Sequence, residues 1–570
     1  MLDHREDVAH TIRTRETDPM HLEAWDWVLD RTPWYPADRQ YWPWKRATRG
    51  DRWRPIAMVG VTVASGLPDS NLLPTGLQLW TPERSETLTL EGEVTDASRV
   101  ASVLFTRQTR GHSLVCLYGA SLDLNGILRW WARSWVEQGF KLVPIVSGTV
   151  CRAIIVRHGR HRWTLCDVEA MTGTPIEEAM AEAYDRLRVD SDTIPVLRAV
   201  WEWLADLQTH TMREYGAYLR PTVGGTGIRV AGFNLPEETL IPRPSPILVT
   251  LCRAGLGYRG GYVFGTRYQG EATMIDCRRM YAHCLRRELP TRWALGHGLA
   301  GGAESPGIYL CTVTGTPCHP VQLGVWAGPG EGFIRRLWHG GRCVAVLPTT
   351  EYEGLRAMGL EVTPGWGMTG WSPVTFGPLV ERIGRVLEEH GSESPIGRLS
   401  KLLANTIYGK MAMRSDRETV MYSLDRPHED AFPAVTTEGE ELADLWTLDQ
   451  VVYTNYQQVG MAAFVTGAAR SHLYHEMARH IRAGRRVVHA HTDGFVITGP
   501  PPEDVPWETD AIGAWRIVAT DGMATVVRGG GYVLNDDPRW SGGPHWGRQE
   551  IEVAFERGEY VVQGLRLAAR

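Results

Sequence analysis

The chain is 570 residues long, 22% charged and 43% hydrophobic, with a formal net charge of −6, the balance of an ordinary globular protein. That length exceeds what one hydrophobic core serves and implies three or four units, and the acidic net charge confines any nucleic-acid contact to a local positive groove. No apolar run approaches the roughly 20 residues of a membrane helix, and "MLDHREDVAHTIRTRETD" lacks the apolar centre of a secretory signal, so no membrane partner and a cytoplasmic setting are expected.

Residues 1–50 are polar and rich in tryptophan (Trp25, Trp27, Trp34, Trp42, Trp44), an extension whose aromatics are expected to pack on a neighbouring domain or partner. From Arg54 the pattern turns strand-like in "PIAMVGVTVASG", "SVLFTR" and "HSLVCLYG", followed by the amphipathic helix of "NGILRWWARSWVEQGF". A hairpin, "RAIIVRHGRHRWTLCDVEAM", and a helical run from Pro175 to Tyr215 complete an α/β domain over 51–225. The Gly- and Pro-rich "RPTVGGTGIRVAGFNLPEETLIPRPSP" marks its end. A second α/β region, 226–370, has strands at "ATMIDCRR" and "CVAVLPT" with turn-rich material between. Helix dominates from about Phe376 to Met413, within a unit at 371–415, and 416–520 holds an acidic loop, a long helix and two strands across a TDG turn. Residues 521–570 carry the Gly-rich "RGGGYVLND". No repeat, GxGxxG or Walker motif occurs, and nine cysteines without a CxxC pair argue for reduced thiols and against zinc.

Four lysines, Lys45, Lys141, Lys401 and Lys410, stand against 56 arginines, a bias that a GC-rich genome explains. Two of the four lie in "SKLLANTIYGKMAMR". On a 3.6-residue period Arg398, Lys401, Asn405 and Tyr408 share one face and Leu399, Leu403 and Ile407 another, with Gly409 placed to end the helix in a left-handed cap. The first face suits a nucleotide, with cations for phosphates, an amide for an edge and a ring for a base; the plainer reading is a solvated face. A lysine there supplies a compact charge that an arginine fork does not duplicate. "HAHTDGFVITG" holds Asp493 on a turn between two apolar strands, although Asp-Gly is also the commonest hairpin signal. "ATMIDCRRMYAHCL" delivers Asp276 at a strand end, with Tyr281 soon after. Two strand-borne carboxylates and a cationic helix are the minimum for two-metal nucleotidyl transfer. Asp276 and Asp493 would bridge two Mg²⁺ (or Mn²⁺) ions, and Lys401 would neutralise the leaving pyrophosphate.

These residues resemble a known family. "KLLANTIYGK" is similar to motif B of family B DNA polymerases, "DCRRMYA" to motif A and "HAHTDGF" to motif C, in the family's order. "YRGG" at Tyr258–Gly261 resembles the element that precedes motif A and contacts template. Size and spacing are most similar to the protein-primed branch found in phages and linear plasmids. The resemblance implies an α/β right-hand polymerase of palm, fingers and thumb behind an N-terminal RNase H-like exonuclease-type domain. It implies a primer-template DNA partner, dNTP substrates and a separate terminal protein as a candidate primer, in a bacterial cell. Asp276 and Asp493 become metal ligands, Lys401 the triphosphate contact, and Arg398, Asn405 and Tyr408 nucleotide-binding residues. Tyr281 becomes the steric gate against a ribose 2′-hydroxyl. Tyr258, Gly260, Gly261, Lys410, Arg528 and Tyr532 become DNA contacts, and Arg470 lies in a helix before motif C that also resembles the family.

Departures from the family pattern are informative. His491 stands where motif C has its first Asp, Ala282 replaces the Pro after the gate, and Gly530 replaces the lysine of the element that ends at Tyr532. Two of the four exonuclease carboxylates are gone: the first element offers Gly60 and Thr62 for its Asp and Glu, the second has Gly119 for Asn with Asp123 kept, and the third has Arg188 for Tyr with Asp192 kept. Two lone carboxylates do not hold two metals, so the fold is expected without its proofreading chemistry. An Asp167–Glu169 pair imitates the missing element but falls out of order. The alternative is a catalytically weak or inactive polymerase-fold protein that binds nucleic acid, for example in defence.

Overall fold

The computed structural model describes residues 5–33, 41–43, 54–63, 74–82, 85–90, 94–106, 113–118, 124–147, 150–187, 195–235, 240–300, 303–413, 416–435, 441–451, 457–509, 511–540 and 547–557. Contacts divide the chain into two units, Met1–Trp42, Leu240–Val380 and Gln458–Arg570 in one, Pro43–Thr239 and Glu381–Gln457 in the other.

The second unit is built on a ten-stranded sheet. Arg54–Val63, Pro74–Trp80 and Ser85–Thr89 form an antiparallel meander, and Ser113–Tyr118 and then His161–Asp167 add to Arg54–Val63 in parallel. This is the arrangement expected of the RNase H-like fold. The helix Leu124–Glu137 covers the sheet because Ile127, Trp131 and Trp135 recur at four-residue spacing and all are at most 2% exposed. Trp135 packs edge-on to Phe105 and donates its indole N–H to the Ala97 carbonyl at 2.8 Å. Gly60 and Thr62 fall on the first strand, while Gly119, Asp123, Arg188 and Asp192 lie outside the described residues. Asp167, at the end of the fifth strand, accepts the Glu169 N–H as a helix cap.

The stretch 416–520, taken as one piece from the sequence, is divided by its pairing. Asp416–Tyr422, Glu441–Val451 and Phe432–Val435 extend the ten-stranded sheet, joining it where Tyr422 pairs with Leu142. Tyr422 packs against the same core and donates to Asp444 at 3.0 Å, a long-range contact with no local signature.

The first unit holds two sheets. The seven-stranded one runs Tyr262–Gly265, Val487–Thr492, Gly494–Thr498, Tyr268–Cys277, Trp515–Arg528, Gly531–Leu534, Asp537–Trp540, antiparallel throughout. The helix Val459–Arg482 is apolar on nearly every side and is accordingly buried along most of its length. The turn-rich material expected between "ATMIDCRR" and "CVAVLPT" supplies four strands of a six-stranded sheet, in which the expected "CVAVLPT" strand is Gly341–Pro348; the order is Leu289–His297, Glu361–Val374, Gly307–Gly315, Gly341–Pro348, Val321–Trp326, Phe333–Trp338. Its glycines read as turns but serve close approach. A Cβ on Gly367 would lie 2.3 Å from the Ile308 carbonyl oxygen. The N-terminal helix Pro19–Asp30 packs on this sheet, with Trp27 edge-on to Trp326 and Phe333 at 5.8 and 5.7 Å, as its aromatics suggested.

No disulfide joins the eight cysteines whose side chains are described, and no helix among the described residues is long and apolar enough to cross a membrane.

Candidate active site

Strand pairing brings the two aspartates together. Asp276 ends the central strand Tyr268–Cys277, opposite Gly494 on one side and Arg516 on the other. His491 pairs with Gly494, so Thr492 and Asp493 form the turn between the two motif C strands. The strain of that turn sits on Thr492, whose φ of 57° is left-handed and unusual for a β-branched residue. Its hydroxyl lies 2.8 Å from Asp493 Oδ1, and the Asp493 carbonyl accepts the Cys277 N–H at 2.8 Å. Gly494 serves proximity: a Cβ there would stand 3.0 Å from the Ile275 carbonyl oxygen and 3.3 Å from Asp276 Oδ1. The Asp-Gly pair therefore does more than turn a hairpin.

Burial and the Asp493 charge raise the Asp276 carboxyl to about 6, with Arg516 opposing from 3.6 Å. Two mutually repelling carboxylates in a half-buried site form a donor set for a hard divalent cation, whose charge would relieve the repulsion. Among the described residues no cluster of three His, Cys, Asp or Glu side chains completes an all-protein cage. Water and substrate phosphates would supply the rest of the shell, as is usual for Mg²⁺ at nucleotides.

Around the carboxylates stand several of the expected residues. Tyr281 is 8% exposed, in the short helix Met280–Leu285 that follows Arg279, itself at φ 57°. Gly261 needs to be glycine, since its Cβ would meet Thr492 atoms at 2.6 to 2.9 Å; the template-loop element thus abuts the motif C turn. Tyr258 is half-buried, and burial raises its phenol; Gly260 is exposed at the loop tip. Arg528 and Tyr532 flank the turn at Gly529–Gly530, and Tyr532 packs on His489 with centroids 4.5 Å apart.

Three contributors escaped the sequence reading. His489, buried and held neutral by burial and by His491, accepts the Gly530 N–H on Nε2 at 2.9 Å, tying motif C to the Tyr532 turn. The alternation in "HAH" was its signal, since it sets His489 and His491 on one face. Arg516 faces Asp276 across the sheet. Glu351, fully buried between Arg259 and Arg470, has no local signal at all.

The motif B residues belong to the other unit. Ser394 caps the helix Pro395–Met411 by accepting the Gly397 N–H, and Leu399, Leu403 and Ile407 are fully buried as their spacing predicts. The expected Gly409 cap is corrected: the helix runs on to Met411, and Gly409 has no left-handed φ. Lys410 is therefore a helical residue, its chain lying against Gly224, where a Cβ would be 2.4 Å from Cε. Lys401, half-exposed, pairs with Glu393 at 3.0 Å, and Asn405 and Tyr408 follow it on the solvent-facing side. Arg398 is engaged by Glu182 and by the Glu393 carbonyl at 2.7 Å.

No family model matches the chain, and no curated protein matches it. Among solved structures, phi29 DNA polymerase with primer-template DNA and incoming nucleotide is similar at a TM-score of 0.62, covering 88% of this chain and 93% of that one at 14% identity. The same polymerase with single-stranded DNA gives 0.59 over 88% and 94% at 16% identity. Its orthorhombic crystal form gives 0.59 over 88% and 95% at 15%. The chain therefore has a right-hand polymerase fold with an exonuclease-like domain, the fold of this protein-primed family B polymerase.

Proposed function

We propose that the chain is a DNA-directed DNA polymerase of the family B kind, joining deoxynucleotides to a primer hydroxyl on a template. The observation that carries this reading is the placement of Asp276 beside Asp493 at the end of paired palm strands, with Asp276 raised to about 6 by burial and its neighbour. Asp276 and Asp493 would hold two Mg²⁺ or Mn²⁺ ions, which when bound supply charge neutralisation and activate the primer hydroxyl. Lys401, on exchanging Glu393 for substrate, gives the triphosphate a compact positive charge. Arg398, Asn405 and Tyr408 bind the nucleotide, and Tyr281 excludes a 2′-hydroxyl. Tyr258, Gly260, Gly261, Lys410, Arg528 and Tyr532 follow the DNA.

Gly60 and Thr62, standing where the family's first exonuclease element has its two acids, support a polymerase without proofreading. Likeness to a protein-primed polymerase supports priming from a terminal protein's hydroxyl and service of a phage or plasmid in the bacterial cytoplasm. His491 in motif C favours a second reading, a weak or inactive polymerase-fold protein that binds nucleic acid, for example in defence.

Labelled dNTPs with Mg²⁺ or Mn²⁺, with and without primer and template, test both. Label is expected on DNA or on protein according to the primer. Asp276→Asn and Asp493→Asn should each lower incorporation about a thousandfold with primer-template affinity retained. Incorporation that survives either change sinks the metal assignment, and a silent wild type favours the second reading.

A further inference from the structure

Three buried charges lie under the template loop. Glu351 is 0% exposed and the side chains of Arg259 and Arg470 are 1% exposed. Both Glu351 oxygens accept from both arginines, at 2.7 and 2.6 Å from Arg259 and at 2.9 and 2.7 Å from Arg470. Burial alone would raise the Glu351 carboxyl, but the two guanidinium groups outweigh it and hold it below its usual value. One carboxylate between two guanidinium groups leaves a net positive charge, which carbonyl dipoles balance. Arg259 Nη1 donates to the Leu256 and Val346 carbonyls at 2.7 and 3.1 Å. Arg470 Nη1 donates to the Arg259 and Gly260 carbonyls at 2.7 and 3.0 Å.

A buried ionic trio is a poor device for stability alone, because apolar residues of similar volume commonly serve as well or better. Its connections point elsewhere. Two of the Arg470 bonds end on backbone of the loop 258–261, and Gly261 of that loop fits against Thr492 of the carboxylate turn. Arg335 adds a third cation, its Nη2 lying 3.4 Å from the Gly261 carbonyl oxygen. One planar fork thus holds the template loop and, through Gly261, reaches the carboxylate turn.

We infer that Arg470, clamped by Glu351 and braced by Arg259, is a positioning residue that fixes the template loop relative to the paired aspartates. The inference rests on the polymerase reading for its consequence in nucleotide incorporation, while its consequence for DNA affinity is independent of catalysis. A lysine has the charge but not the fork, so it meets Glu351 or the loop carbonyls and not both in the same geometry.

The test uses the full chain with Arg470→Lys, the apolar triple Arg259→Met, Glu351→Leu, Arg470→Met, and Leu323→Ala at a fully buried position in the six-stranded sheet as a stability control. Melting temperature, primer-template affinity by fluorescence anisotropy, and kcat and KM for dNTP are measured on each. Arg470→Lys is expected to weaken primer-template binding about tenfold and to raise the KM for dNTP about tenfold with kcat nearly unchanged. Leu323→Ala should lose melting temperature without either change. A folded apolar triple that binds DNA as tightly as wild type overturns the inference, as does Leu323→Ala reproducing the effects of Arg470→Lys. Failure of the wild type to incorporate nucleotide sinks the polymerase reading, and the affinity measurements then decide on the clamp by themselves.

Discussion

Asp276 carries a pH signature that a surface aspartate would not. Its carboxyl rises from 3.8 to about 6 because burial and Asp493 disfavour the charge more than Arg516 restores it. A folded pKa above the unfolded one favours the protonated fold. The metal-free protein therefore has this contribution in full below about pH 4 and loses it as pH rises through about 6. The loss is on the order of 2 kcal/mol once the side chain's 24% exposure and solvent screening are allowed for. Metal-free melting of wild type and Asp276→Asn between about pH 4 and pH 8 checks this. Wild type should fall relative to the variant across that window, and added Mg²⁺ should restore wild type alone. A pH-independent gap between the two would contradict the assignment.

At the scale of elements, the Tyr258–Gly261 loop and the motif C hairpin are fitted by the absence of a side chain. Gly261→Ala would bring Cβ within 2.6 to 2.9 Å of Thr492, partly against backbone that cannot give way. The expected cost is about 1 to 3 kcal/mol, taken up by moving the loop, so primer-template affinity should drop about tenfold. Gly330→Ala, where nothing lies within 4 Å, should leave the affinity unchanged. Equal effects from both substitutions would remove the fit argument. The motif B helix shows what local pattern reveals. Its buried face of Leu399, Leu403 and Ile407 was legible from the 3.6-residue period, as were the four residues opposite. Its end was not, because one helical glycine without a left-handed φ reads like a cap in sequence. The partners Glu393 and Glu182 were also hidden, the latter 216 residues from Arg398.

For the whole molecule, an RNase H-like sheet with Gly60 and Thr62 in place of the first element's acids leads to a plain expectation. Wild-type protein with a labelled primer and Mg²⁺ should show no degradation from the 3′ end, read on a denaturing gel. Metal-dependent shortening that persists in Asp493→Asn would place a nuclease in the chain, with the helix-capping Asp167 the first residue to test. The right-hand polymerase fold was readable through the resemblance that "KLLANTIYGK", "DCRRMYA" and "HAHTDGF" carry, while a helical or strand period assigned faces locally. The same local grammar misread four strands of the six-stranded sheet as turns, since glycines in that sheet meet neighbouring strands that lie far off in sequence. It also kept 416–451 with residues that pair in another sheet. Sequence by itself determined which side chains are available for the chemistry: Asp276, Asp493, Lys401, Asn405, Tyr408 and Tyr281. Only tertiary structure decided that Asp276 lies against Asp493 closely enough to shift its proton, and that Glu351 clamps Arg259 and Arg470 from 92 and 119 residues away. Contacts of that kind are set by strand pairing and burial, which leave no period in the chain to read.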